Sequence, residues 1–132
     1  GGYAKWANDN LMVITIVERP EAIEHIEEIA AVEGIDVIFM GLNDLSYGYG
    51  VPGQLRAPVM QAAGEKVMKA AKKHGIAVGG PGGAADIQRM IGEGFRFIQG
   101  PSDLSLLQMG ARDFFANLKK SGVERKEPVP LY

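Results

Sequence analysis

The sequence has 132 residues, 46% of them hydrophobic, which is enough for one globular domain with its own core and too few for two. Its 14 Lys and Arg are scattered among 16 Asp and Glu for a net charge of −2, so the basic patch that a nucleic-acid partner requires is missing. The lack of cysteine excludes a disulfide framework and a thiolate metal site and suits a reducing cytoplasm, and no apolar run approaches the roughly 20 residues that cross a bilayer.

Gly1-Gly2 stands ahead of what reads as the end of a helix over Tyr3 to Asn8, which implies preceding sequence. Four short apolar runs then recur between longer amphipathic stretches: Leu11 to Val17, Asp36 to Met40, Ile76 to Val78 and Phe95 to Ile98. They are near-continuous in Val, Ile, Met and Phe rather than alternating, as the strands of a parallel sheet buried on both faces must be. After the first, Ala22, Ile23, Ile26, Ile29, Ala30 and Ala31 form the apolar face of a helix that opens at Pro20 and ends at Gly34. A Gly- and Tyr-rich loop is expected over Gly41 to Leu55. The next helix starts near Pro58, with Met60, Ala63, Val67, Ala70 and Ala71 on one stripe and Lys72, Lys73 and His74 before a terminating Gly75. Two further helices are predicted over Ala84 to Glu93 and Asp103 to Lys120. Residues 1–122 thus read as one βα-repeat domain, and 123–132, with Pro128 and Pro130, as a C-terminal arm.

The order βαβαβαβα, with every crossover long enough for a helix, predicts an α/β fold with parallel strands and right-handed connections. Pattern alone leaves two architectures: a small open α/β sheet, or four units of an eight-unit barrel of about 250 residues. Half a barrel would leave two sheet edges unpaired, which predicts self-association or assembly with a chain that supplies the missing strands.

In either architecture the site lies at the C-terminal ends of the strands. Glu18 directly follows the first run, and Asp44 follows the second within Gly41-Leu42-Asn43-Asp44-Leu45-Ser46. Two acids at neighbouring strand ends are a candidate site for a Mg²⁺-like ion, which protein usually holds by one or two carboxylates. The same two acids would also serve as helix and turn caps.

Several segments carry, in order, the pattern of one family: Val17-Glu18-Arg19-Pro20-Glu21-Ala22, Val32-Glu33-Gly34-Ile35-Asp36, Gly41 to Ser46, Gly50-Val51-Pro52-Gly53-Gln54 and Gly94-Phe95-Arg96-Phe97. The chain resembles the HpcH/HpaI aldolases across nearly its whole length, matching only the second half of their TIM (β/α)8 barrel. The resemblance implies retro-aldol cleavage of 2-keto-3-deoxy sugar acids or related hydroxy-keto acids to pyruvate and an aldehyde. It makes Glu18 and Asp44 ligands of Mg²⁺, Mn²⁺ or Co²⁺. It places the keto acid's carboxylate on the backbone N–H groups of Asn43 and Asp44, in the turn opened by Gly41 and Leu42.

Ile16 stands where the family usually has Gln, and Leu42 where its Gly-Pro-x-Asp motif has Pro. The family's base-chemistry His and its substrate-steadying Arg belong to the half not matched, so the catalytic residues are not assigned here. His25 reads as a mid-helix residue and His74 as a helix-end residue, both structural. Asp103, after the last strand, would shape the site or, with Ser102, cap a helix. Leu104, Leu106 and Leu107 would line an aldehyde pocket or fill core. Gly79 to Gly83 and Gly100-Pro101-Ser102 suggest a second reading, a phosphate-ligand barrel, against which stands the ordinary use of glycine for tight turns and close approach. A third is a half-barrel module that binds without catalysing.

Overall fold

The computed structural model describes residues 1–118 of the protein. Along these run α1 (Gly2–Asn10), β1 (Ile14–Val17), α2 (Pro20–Glu24), α3 (Ile26–Ala30), β2 (Val37–Met40), α4 (Leu42–Gly48), α5 (Pro58–His74), β3 (Ala77–Pro81), α6 (Ile87–Glu93), β4 (Phe97–Gln99) and α7 (Asp103–Leu118). The C-terminal arm expected over 123–132 lies outside the described residues. The chain divides into two compact units between Gly100 and Pro101, and α7 belongs to the second. No helix among the described residues is long and apolar enough to cross a membrane.

The four strands are parallel and lie in the order β1-β2-β3-β4, with Ile14 beside Val37, Val37 beside Ala77 and Gly79 beside Phe97. Sequential order decides between the two predicted architectures. When every right-handed crossover steps the same way, the helices stack on one face, which is the winding of a barrel segment; an open doubly wound sheet reverses direction part-way. Accordingly, Val17, Ile38, Met40 and Val78 pack one face of the sheet against Ile23, Ile26 and Ala30 and the apolar stripe of α5. All five residues of that stripe, Met60, Ala63, Val67, Ala70 and Ala71, are buried. A fully buried Val or Ile there contributes roughly 1.5–3 kcal/mol over its exposed state. On the other face Ile14 and Ile16 are 39% and 59% exposed, and Phe39 and Phe97 meet edge to face at 6.2 Å across β3.

α5 ends as its sequence predicts, on Gly75 at φ 73° with three basic residues in the last turn. Elsewhere the elements shift. Leu11 to Val13 precede β1, where the Val13 amide donates to the Asp36 carboxylate at 2.7 Å. The single helix expected after β1 is broken at His25, whose φ −98° and ψ 18° separate α2 from α3. His25 is therefore at a junction and not mid-helix. The apolar spacing runs unbroken through the junction, since Ile23, Ile26 and Ala30 all reach the core, so periodicity could not report the break; Ala31, expected on the same face, is exposed because α3 ends at Ala30. The expected loop after β2 contains α4, held by the complete burial of Leu45 and Ser46 although its glycine and tyrosine content disfavours a helix.

Candidate functional site

β1 and β2 end side by side, Val17 beside Met40, so the residues that follow them emerge at one rim of the sheet. Gly41 is tied back across the pair by its N–H, which donates to the Val17 carbonyl at 3.0 Å. It also caps α4, whose first turn carries Asp44. The Glu18 side chain lies directly over Gly41: a Cβ there would fall 2.7 Å from Glu18 Cβ and 2.9 Å from Glu18 Oε2. Glycine is required at this position because a carboxylate occupies the side-chain space. Glu18 and Asp44 are both exposed. Ile16, on the same sheet face, approaches the Gly41 cradle through Cγ2 and with Glu18, Arg19, Glu21 and Ala22 lines a cleft of about 470 Å³. An apolar wall thus stands beside Glu18.

α4 is fixed from below by Ser46. Its buried hydroxyl donates to the Asn43 carbonyl at 2.6 Å and accepts the Gly53 amide at 3.0 Å, joining the first turn of α4 to the Val51–Gln54 turn. The side chain of Asn43 is exposed, and Leu42 packs half-buried against the core. At the far end of α4, burial pushes the Tyr49 hydroxyl above its ordinary pKa, and the nearby charges of Glu24 and Glu21 add to the effect.

A hard divalent ion is usually held by one or two protein carboxylates and completes its octahedron with water and substrate oxygens. Among the described residues no group of three or more His, Asp or Glu is gathered, so this chain would offer such an ion the pair alone. The histidines are elsewhere. His25 pairs through Nδ1 with Glu28 at 3.1 Å, a hydrogen bond that raises its pKa. His74 ends α5 and so lies at the rim where β3 begins, opposite to Glu18, with Nε2 3.6 Å from Glu27.

The glycines after β3 have a different use. β3 extends through Gly79 and Gly80 to Pro81, beyond the predicted end at Val78. A Cβ at Gly79 would meet Phe39 Cδ2 and the Phe97 carbonyl at 2.9 Å, one at Gly80 Phe95 at 3.2 Å, and one at Gly82 Met90 Sδ at 2.8 Å and Ile98 at 2.9 Å. The Gly82 amide donates to Gln99. Close approach accounts for Gly79, Gly80 and Gly82, whereas a Cβ at Gly83 or Gly100 would meet nothing closer than 3.9 Å. A larger cleft of about 830 Å³ opens beside α5 and α6, floored by Met60, Met68, Met90 and Phe95, with Leu42 on its wall. On its rim Arg89 joins Asp86 at 3.0 Å and Glu93 at 2.7 Å, and the Arg89 hydrogen bond holds Asp86 below the usual carboxylate range.

Asp103 and Leu106 belong to the second unit. There Ser102 Oγ accepts the Ser105 amide at 3.2 Å, the capping bond expected of it, and Asp103 Oδ1 accepts the Leu104 amide at 2.7 Å. Leu104, Leu106 and Leu107 are exposed.

The sequence profile of the HpcH/HpaI aldolase/citrate lyase family matches residues 2–108. The chain belongs to this family. It is 37% identical over 111 residues to a hydroxypyruvate/pyruvate aldolase of Delftia acidovorans, a match spanning 83% of the chain and 41% of the relative. A 2-dehydro-3,6-dideoxy-6-sulfogluconate aldolase of Pseudomonas putida is 32% identical over 119 residues, 89% of the chain and 47% of that protein. The crystal structure of an HpcH/HpaI aldolase/citrate lyase family protein from Burkholderia cenocepacia superposes with a TM-score of 0.82 at 31% identity, over 89% of the chain and 46% of its own length. The chain spans about half the length of these relatives. Its sheet is half of the HpcH/HpaI TIM barrel.

Of the residues expected at adjoining strand ends, Glu18 and Gly41 are in contact, and Asp44 lies in the first turn of α4, which Gly41 opens. Sequence reasoning gave no role to Ser46 or Gly48. The signal available for Ser46 was a small hydroxyl inside an apolar-anchored turn; for Gly48 it was only an absent side chain.

Proposed function

We propose that this HpcH/HpaI chain supplies the metal-binding half of a divalent-metal-dependent aldolase that cleaves 2-keto-3-deoxy or 4-hydroxy-2-keto acids to pyruvate and an aldehyde. The observation that carries the reading is the seating of the Glu18 carboxylate on Gly41, at the start of the helical turn that holds Asp44. The aldolase names of the relatives support it.

Glu18 and Asp44 would hold Mg²⁺, Mn²⁺ or Co²⁺. When bound, such an ion supplies Lewis-acid stabilisation for the negative charge that gathers on the substrate's keto oxygen. The backbone N–H groups of Asn43 and Asp44 lie in the first turn of α4, where amides have no acceptor within the helix, and would orient the substrate carboxylate. Gly41 and Leu42 set the path of that backbone, and Ile16 and Glu18 border the space beside it. In the cleavage the bond between C3 and C4 breaks, its electron pair stays with C3, the C4 hydroxyl gives up its proton, and protonation of C3 completes pyruvate. The acceptor of the hydroxyl proton would come from the barrel half that this chain does not contain, since His74 is at the opposite rim and His25 is paired with Glu28 at a helix junction. The edges of β1 and β4 would be covered by a homo-oligomer or by strands of the other barrel half.

Isothermal titration of the chain with Mn²⁺ and oxalate, an analogue of the keto acid's chelating end, beside a pyruvate-release assay tests both halves. The expected result is binding without turnover, because a positioned general base contributes about 10²–10⁴-fold. Glu18→Gln and Asp44→Asn, which remove charge and keep volume, should each abolish binding while leaving the thermal midpoint in place. Wild-type Mn²⁺ affinity in either variant overturns the ligand assignment, and rapid pyruvate release by the chain alone overturns the placement of the base.

A further inference from the structure

We propose that Gly48 and Ser46 are positioning residues that fix the Asp44 turn relative to Glu18; the inference rests on the metal-ligand reading above. α4 touches the Glu18 segment at both of its ends. At the first, Gly41 lies under the Glu18 side chain. At the second, Gly48 lies against Pro20, two residues beyond Glu18 in the chain. A Cβ on Gly48 would sit 2.6 Å from Pro20 Cδ and 3.2 Å from Pro20 Cγ. These are atoms of a ring whose φ is fixed and which opens α2, so they cannot swing aside as the tip of a long side chain can. Seven residues of helix span only about 10 Å. A displacement at Gly48 therefore tilts the whole of α4, carrying Asp44 and the Asn43 amide away from Glu18.

Ser46 blocks the remaining freedom. It is fully buried, and its two hydrogen bonds tie the Asn43 carbonyl to the Gly53 amide, in a turn where Gly53 has a left-handed φ of 71°. Removing the hydroxyl leaves the Gly53 amide without its acceptor and frees the first turn of α4 to rotate. Groups that only hold a ligand in place commonly change metal affinity by 10–100-fold when lost, and the same scale is expected here.

The test is a rescue experiment on the full 132-residue chain, read by Mn²⁺ titration. Gly48→Ala should weaken Mn²⁺ binding by about tenfold or more. Pro20→Ala should change it little, and the double variant Pro20→Ala/Gly48→Ala should recover most of the loss because the obstructing ring atoms are gone. Ser46→Ala should weaken binding on the same scale. Gly64→Ala, in a part of α5 where a Cβ meets nothing within 4 Å, is the control and should match wild type. Amide hydrogen exchange supplies a metal-free arm: Gly48→Ala should speed exchange at Gly41 and Leu45, whose N–H groups bond Val17 and Gly41, and the double variant should restore it. Unchanged affinity and unchanged exchange in Gly48→Ala overturn the positioning claim, as does a double variant no better than the single one. If wild type binds no Mn²⁺, or Glu18→Gln binds as tightly, the metal reading fails, and the exchange data alone decide whether Gly48 seats α4.

Discussion

Two glycine-bearing strand ends sit at the same rim of this sheet, and they differ in what fills the space that each glycine leaves. At the end of β2 the occupant of the Gly41 gap is a carboxylate, while at the end of β3 the gaps at Gly79, Gly80 and Gly82 are filled by Phe39, Phe97, Phe95, Met90 and Ile98. A side chain forced into the first region displaces a charged group that is free to bind something. Forced into the second, it displaces packing. The same residue type therefore lies under an exposed carboxylate in one place and among packed side chains in the other, and only the neighbour's chemistry tells them apart.

The contrast is open to direct attack. Gly41→Ala should cost Mn²⁺ affinity about a hundredfold, the upper end for disturbed metal surroundings, with little change in the denaturant midpoint. Gly79→Ala should do the opposite: overpacking against the Phe97 carbonyl and Cβ and the Phe39 ring should lower unfolding free energy by about 1–3 kcal/mol in urea titration, with affinity near wild type. If both variants lose affinity and stability in equal proportion, the distinction between the two strand ends is wrong.

The smallest effect probes the frame that both regions share. Glu27 on α3 bonds Lys73 on α5 at 2.7 Å, and this hydrogen bond, with the lysine's charge, lowers its pKa from an ordinary 4.5. A carboxylate whose folded pKa is depressed stabilises the fold above its ordinary pKa and loses that contribution as pH falls through the lowered value. The gap in thermal midpoint between wild type and Glu27→Gln should accordingly be present at neutral pH, close progressively below pH 4.5, and be small throughout, because both partners are solvent-exposed. A gap that persists unchanged into acid would assign the effect to packing of the stem.

Much of this architecture was legible in advance, for reasons that particular residues make clear. Val37 to Met40 read as a buried strand because nothing but apolar side chains lies between its ends, and α5 announced itself by a stripe of five buried positions closed by Gly75. α4 was hidden because its helix depends on tertiary anchoring of Leu45 and Ser46 and runs against local propensity. β3 ran into its glycines unseen because Phe39 and Phe97, which cover Gly79, come from two other strands. At the site, Glu18 and Asp44 were visible as strand-end acids within recognisable motifs. The contact of Gly48 with Pro20 was not, since a missing Cβ carries no pattern and its partner lies far off in sequence.

The uncovered face of β1 has a consequence for the chain as a material. From Leu11 to Val17 the sequence is Leu-Met-Val-Ile-Thr-Ile-Val, with no charge and no proline, and Leu11, Met12, Val13, Ile14 and Ile16 are all exposed. A seven-residue segment of that kind on an edge strand is a template for cross-β stacking, in which copies pair through their free amides and interdigitate their dry side chains. Asp9 before it and Glu18 with Arg19 after it act as gatekeepers, repelling a second copy in register. The Glu18 charge would thus have a second use besides the one proposed for it, and neutralising it would expose the strand to aggregation.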